Sequence, residues 1–201
     1  MTNQSDFFVD VAARQRRQQF RMRRLQVFNW GTFPNLHDIA IAEEGFLFVG
    51  RSGSGKSTLL DVLAALLVPP QWLTFNAAAK EGDRSRCDRT LVSYVRGAWG
   101  DQKDAGSGEI ATRFLRTGTT WSALALTFAN GEGRQVSLIH LYWLRGAAAA
   151  NTDVRRHYMI AERSFDVTRE LGGFDLDIRT LKSRLSDVDH FGDTFRPYGE
   201  R

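Results

Sequence analysis

One eight-residue motif constrains this chain of 201 residues more than any other feature of its sequence. Residues 50–57 match the pattern G-x-x-x-x-G-K-[ST] in full, between an apolar run at 46–49 and an apolar helical pattern at 57–67. The motif consists of Gly50, Arg51, Ser52, Gly53, Ser54, Gly55, Lys56 and Ser57. Glycines in this spacing let the backbone turn tightly and gather its N–H groups into one concave loop. The sequence therefore predicts a buried strand, a phosphate-binding loop (the P-loop) and a helix, in that order.

Each residue type in the motif has a physical role toward a nucleoside triphosphate. The loop amides and the positive end of the following helix attract phosphate oxygens. Lys56 can reach the β- and γ-phosphates, and the Ser57 hydroxyl can ligate Mg²⁺. We therefore predict that ATP and Mg²⁺ bind at residues 50–58, including Thr58, with Lys56 and Ser57 as the catalytic residues.

Hydrolysis also requires an acidic residue at the end of a second buried strand. Glu43 and Glu162 each follow four apolar residues. However, Glu43 is expected on a turn, and arginines crowd the run before Glu162. The sequence also contains no Leu-Ser-Gly-Gly signature. It therefore predicts half of an ATPase site.

Composition excludes several other classes of protein. With 42% hydrophobic and 25% charged residues, the chain is neither wholly disordered nor collagen-like. Its longest apolar runs are too short to span a membrane, and its first residues do not resemble a secretory signal. A single cysteine, Cys87, excludes an internal disulfide and a cysteine-based zinc cluster. We therefore expect a cytoplasmic protein.

Positive charge is concentrated in residues 1–24, because the rest of the chain contains 21 basic and 21 acidic side chains. A basic segment of this kind can bind DNA phosphates or an acidic partner. The alternative is a solvated helix. The candidate DNA-binding residues of this arm are Arg14, Arg16, Arg17, Arg21, Arg23 and Arg24.

The remaining pattern predicts an α/β fold, in which a mixed sheet and an antiparallel meander surround a buried P-loop helix. A hairpin turn is expected at Asn130-Gly131, and residues 178–185 are the clearest helix of the C-terminal part. In small-molecule kinases the P-loop usually follows the first strand, whereas here a hairpin precedes it. This order favours a P-loop NTPase of the ABC type, specifically its N-terminal lobe. Strands are predicted at 24–30, 38–42, 46–49, 90–95, 109–115, 120–128, 135–144 and 158–162.

Several segments resemble the N-terminal head of SMC-like chromosome and defence ATPases, which include the MukB and MksB condensins and the JetC-type heads of Wadjet anti-plasmid systems. The similarity extends over roughly residues 24–201, and Asn29-Trp30-Gly31 with Tyr94, Arg96, Gly97 and Trp99 is its most specific part. The segments that carry it are residues 24–33, 46–70, 73–79, 91–100 and 174–185.

The resemblance implies an ATPase head that is split across a long chain. Walker A lies in the N-terminal lobe, coiled-coil arms follow, and the C-terminal lobe returns with the signature and Walker B. Two such heads enclose two ATP molecules, and kleisin, winged-helix and nuclease subunits join them on DNA. The resemblance thus also implies a protein associated with the nucleoid. By this resemblance Trp30 contacts the adenine, although a core position is the alternative. The implied domains are a basic arm (1–24), an ATP-binding lobe (25–185) and a helical lead-in to a coiled-coil arm (186–201).

Two other functions remain open from the residues alone. One is a stand-alone P-loop kinase or small NTPase, and the other is a nucleotide-gated DNA-binding module without catalysis. An arginine-rich segment with Arg84, Arg86 and Arg89 is a candidate for contacting the γ-phosphate or DNA, and a solvated loop is its alternative. Missing Walker B residues argue against the stand-alone enzyme.

Overall fold

The computed structural model describes residues 17–75, 89–103 and 110–192. Its centre is a six-stranded sheet in the order β2-β1-β5-β6-β7-β8, and every pairing between these strands is antiparallel. A separate ribbon pairs β3 with β4. The strands are β1 (Arg21–Trp30), β2 (Phe33–Ala40), β3 (Ala98–Lys103), β4 (Ile110–Phe114), β5 (Thr120–Ala129), β6 (Gln135–Leu144), β7 (Arg155–Ala161) and β8 (Asp189–Gly192).

Helices in the described parts of the chain cover both faces of the sheet. On one face α1 (Lys56–Leu67) and α2 (Leu91–Arg96) enclose a core with side chains such as Leu25, Val27 and Leu126. On the other face α3 (Val167–Leu171) and α4 (Ile178–Arg184) pack over side chains such as Ile139 and Leu141. Strands β5 and β6 are therefore largely buried on both faces and are rich in apolar residues.

The predicted strand at residues 46–49 is wrong. The segment is not part of the sheet, and Leu47 and Val49 are 80% and 82% exposed. The prediction of a mixed sheet also fails for the described residues, because every strand pairing among them is antiparallel. Within the described parts of the chain, residues 46–49 therefore have no neighbouring strand, although their apolar pattern predicts one.

Residues 90–95 form most of a helix rather than the predicted strand. Their β-branched and aromatic side chains suggested a strand, but a capping box overrides this preference. The Thr90 hydroxyl accepts a hydrogen bond from the Ser93 amide at 3.2 Å, and the Ser93 hydroxyl accepts one from the Thr90 amide at 2.9 Å. Gly97, in the left-handed region, ends the helix. The Thr-x-x-Ser spacing followed by Gly97 is the sequence feature that could have identified this helix.

The P-loop helix is buried on one face only, which corrects the prediction of burial all round. Val62, Ala65 and Leu66 face the sheet, whereas Leu60 and Leu67 are 59% and 48% exposed. No helix in the described parts of the chain is long and apolar enough to cross a membrane.

Candidate functional site

The P-loop connects the exposed segment 46–49 to the N-terminus of α1. Gly55 is the N-cap, no side chain caps the helix, and its first turn contains no acidic residue. The first amides of an uncapped helix need an acceptor, and a phosphate group provides one. This end of α1 is therefore suited to bind an anion.

Gly55 is required for two reasons. Its φ of 89° lies in the left-handed region, and a Cβ at this position would lie 2.5 Å from Cζ of Phe33. The Phe33 ring, which follows the β1–β2 turn, therefore packs directly against the P-loop. The structure thus places a partly exposed aromatic side chain beside the phosphate-binding residues.

The Lys56 ammonium lies inside its own loop. It donates hydrogen bonds to the carbonyl oxygens of Gly50 at 2.7 Å and Arg51 at 2.8 Å. A longer contact of 3.4 Å reaches the Ser54 hydroxyl. These neutral acceptors leave the positive charge of Lys56 without a counterion among the described residues, so that phosphate oxygens can supply one.

Ser57 and Thr58 occupy the first turn of α1 and have different surroundings. Within the described parts of the chain the Ser57 hydroxyl has no hydrogen-bond partner, which fits a side chain available to Mg²⁺. The Thr58 methyl group lies against Gly31 of the β1–β2 turn. Ser57 can therefore hold a cation beside the phosphates, and Thr58 supports the turn.

Trp30 lies in the core, and the structure does not bring it to the P-loop surface. Its side chain is 0% exposed and stacks on Tyr94, with ring centroids 4.7 Å apart and an interplanar angle of 3°. Tyr142 and Phe75 also contact the ring. A buried ring cannot stack on a nucleotide base. The arrangement therefore agrees with a core position for Trp30 and does not agree with a contact between Trp30 and the adenine.

The two acidic candidates lie at the opposite end of the sheet from the P-loop. The P-loop contacts the turn that follows β1, whereas Glu43 forms an ion pair with Arg23 near the start of β1, at 2.8 Å. Glu162 follows the last residue of β7, beside the start of β6. A ten-residue strand is about 30 Å long. Neither carboxylate can therefore share a Mg²⁺ ion with Ser57.

The basic arm is shorter than the sequence suggested, because β1 begins at Arg21. Arg21 and Arg23 contact Glu43, and Arg24 donates to Asp38 at 2.8 Å and to Asp166 at 2.9 Å. The Arg23 guanidinium lowers the pKa of Glu43. Half of the predicted DNA-binding residues are thus paired with carboxylates.

The other arginines of the arm form no ion pair among the described residues or lie outside them. Arg17 is exposed, and its carbonyl accepts a hydrogen bond from the Gly131 amide at 2.7 Å. Arg14 and Arg16 lie outside the described residues, as do Arg84 and Arg86 of the arginine-rich segment. Arg89 is described and donates to Asp61 of α1 at 3.0 Å, so it binds the P-loop helix rather than solvent alone.

The geometry defines a P-loop of the nucleoside-triphosphate-binding type. A family model for the P-loop containing region of an AAA domain matches residues 22–82, which include β1 except its first residue, β2, the P-loop and α1. None of the curated proteins compared with the chain matches it. Residues 22–82 are therefore a P-loop NTPase region, a class that binds nucleotides, usually with Mg²⁺.

Proposed function

We propose that this chain is the ATP-binding N-terminal lobe of an SMC-like ATPase head, similar to the JetC-type heads of Wadjet plasmid-defence systems. In this proposal a C-terminal lobe supplies Walker B and the signature motif, and a second head completes the two ATP sites. Kleisin, winged-helix and nuclease subunits then bind the heads, and the complete assembly translocates DNA by loop extrusion in plasmid defence or chromosome maintenance.

The observation that carries the proposal is the segment before the P-loop. Residues 46–49 form no backbone hydrogen bond with any other described part of the chain. Phe46, Leu47 and Val49 are nevertheless apolar and 47–82% exposed. Unpaired backbone groups and exposed apolar side chains are together what a strand presents when its sheet is incomplete. A lobe that supplies further strands would satisfy both.

The outer face of α1 supports the same conclusion. Leu60 and Leu67 are seven residues apart and thus lie on one side of the helix. Both are about half exposed, and Trp72, which follows the helix, is 74% exposed. A second lobe that pairs with segment 46–49 would also cover this apolar face, whereas a stand-alone kinase would be expected to cover it with its own chain.

The test is to add the C-terminal lobe of a JetC-type head, either joined by a short linker or as a separate protein. We expect Mg²⁺-dependent phosphate release to appear only with the added lobe and only when Lys56 is present. Backbone amides of residues 46–49 should at the same time become protected from hydrogen exchange. Exchange that stays fast when the lobe is added would contradict the proposed pairing.

A pair of substitutions makes this experiment specific. Leu47→Lys should prevent the added lobe from restoring turnover, because a buried lysine would lie in the new interface. Leu115→Lys is the matched control, since Leu115 is also an exposed leucine, at 51%, but lies after β4. Equal turnover by the two variants would exclude segment 46–49 as the docking site.

A further inference from the structure

Tyr94 connects three elements that surround the P-loop. From α2, its hydroxyl donates a hydrogen bond to Asp61 of α1. Its ring stacks on Trp30 at the end of β1. Its carbonyl oxygen accepts a hydrogen bond from the Gly31 amide, in the β1–β2 turn, at 2.7 Å. One residue therefore links the P-loop helix to the turn beside the P-loop.

Asp61 lies on α1, five residues after Lys56, and is 3% exposed. A buried carboxylate is costly unless it is hydrogen-bonded or paired. Tyr94 and Arg89 meet this requirement, since both donate to Oδ2 of Asp61. Burial and the bond to Asp61 raise the pKa of Tyr94, so its hydroxyl remains a donor at neutral pH.

The β1–β2 turn fits tightly between Tyr94 and α1. Gly31 has a φ of 56°, and a Cβ at this position would lie 3.2 Å from both the Thr58 methyl group and the Tyr94 ring. Two residues further on, the Phe33 ring packs against Gly55. The position of α1 relative to Tyr94 therefore determines the distance between the P-loop and the turn.

We infer that Tyr94 is a positioning residue for the nucleotide site. Through Asp61 and Gly31 it holds the P-loop and the β1–β2 turn at the separation at which one nucleoside triphosphate contacts both. The inference rests on the proposed nucleotide binding at the P-loop. In this arrangement the P-loop alone binds the phosphates, whereas binding of the nucleoside depends on the position of the β1–β2 turn.

The test compares the affinities of the full chain for ATP and for inorganic tripolyphosphate. Tyr94→Phe removes only the hydroxyl and keeps the stacked ring. We expect this change to weaken ATP binding about five- to tenfold, the effect of one lost hydrogen bond, and to change tripolyphosphate binding less than about twofold. Tyr142→Phe is the matched control, because the Tyr142 hydroxyl is also buried but bonds to His140 of its own strand, at 3.0 Å, and not to Asp61 of α1. It should leave both affinities unchanged.

Two changes at Asp61 separate the hydrogen bond from the ion pair. Asp61→Asn keeps an oxygen that can accept from Tyr94 and should retain most of the ATP affinity. Asp61→Leu should reproduce the Tyr94→Phe effect, and the double variant should add little to it.

The outcomes are distinguishable. Equal losses for ATP and tripolyphosphate in Tyr94→Phe, or no loss for either, would overturn the positioning role. A wild-type chain that binds neither compound would instead overturn nucleotide binding at the P-loop, the proposal on which the inference rests.

Discussion

At the residue scale, we predict that nucleotide binding depends on the charge of Lys56. Its ammonium lies 2.7 Å from the Gly50 carbonyl, at the centre of the loop that phosphates would enter. Lys56→Ala should weaken ATP binding about 10- to 100-fold, because a charge-assisted hydrogen bond to phosphate is lost. Isothermal titration calorimetry measures this change, with the exposed Lys182→Ala as control. Unchanged affinity would contradict the P-loop assignment.

A second residue-scale prediction concerns His140, whose side chain is 0% exposed and packs against Tyr142 and Tyr158. Burial lowers the pKa of His140 to about 3, against an ordinary value of 6.5. As the pH falls below 6.5, the unfolded chain gains a proton at His140 and the folded chain does not. This residue therefore reduces the free energy of unfolding between pH 6.5 and 3, by up to about 1.4 kcal/mol per pH unit.

Substitution of the imidazole isolates this effect. His140→Gln should have a shallower dependence of the free energy of unfolding on pH between 6.5 and 5 than the wild type has. Urea denaturation at several pH values measures both slopes. Parallel slopes would show that His140 does not titrate differently in the folded and unfolded chains.

At the element scale, the sequence predicts correctly those helices and strands whose hydrophobic pattern and turn residues agree with each other. Strands β5 and β6 with the hairpin between them, and helix α1, lie close to their predicted positions, because alternation, a turn signal and helical periodicity all agree there. Segment 46–49 could not be placed correctly, since its pattern describes a sheet that the described residues do not provide. The P-loop could be identified because phosphate binding requires its glycines and Lys56 at this spacing. No short sequence motif marks Tyr94 or Asp61 as part of the site.

The start of β1 at Arg21 gives an element-scale prediction about the basic arm. Deleting residues 1–20 leaves the sheet intact and should weaken sequence-independent DNA binding, with a smaller dependence on salt concentration. Deleting residues 1–24 should in addition lower the melting temperature, because it removes the start of β1 and the ion pairs of Arg23 and Arg24. Electrophoretic mobility shifts at several salt concentrations and thermal melts measure the two effects. Unchanged DNA affinity in the 1–20 deletion would exclude the arm as a DNA contact.

At the scale of the whole molecule, the described residues cover both faces of the sheet but leave apolar side chains exposed on the P-loop side. The antiparallel sheet has helices on both faces and encloses two apolar clusters. The P-loop side instead exposes Leu47, Val49, Leu60 and Trp72. In the proposed function, the C-terminal lobe covers these apolar side chains. The same side has Lys56 and Ser57, whereas the acidic candidates Glu43 and Glu162 lie too far away to share a Mg²⁺ ion with Ser57.

The most direct test of this account is phosphate release by the purified 201-residue chain, with ATP and Mg²⁺ and without any added lobe. Hydrolysis requires a positioned water and groups that reach the γ-phosphate from the side opposite the P-loop. We predict weak ATP binding and a rate of phosphate release no higher than that of Lys56→Ala. Rapid turnover by the monomeric chain that disappears in Lys56→Ala would contradict the account and would favour a stand-alone kinase or small NTPase.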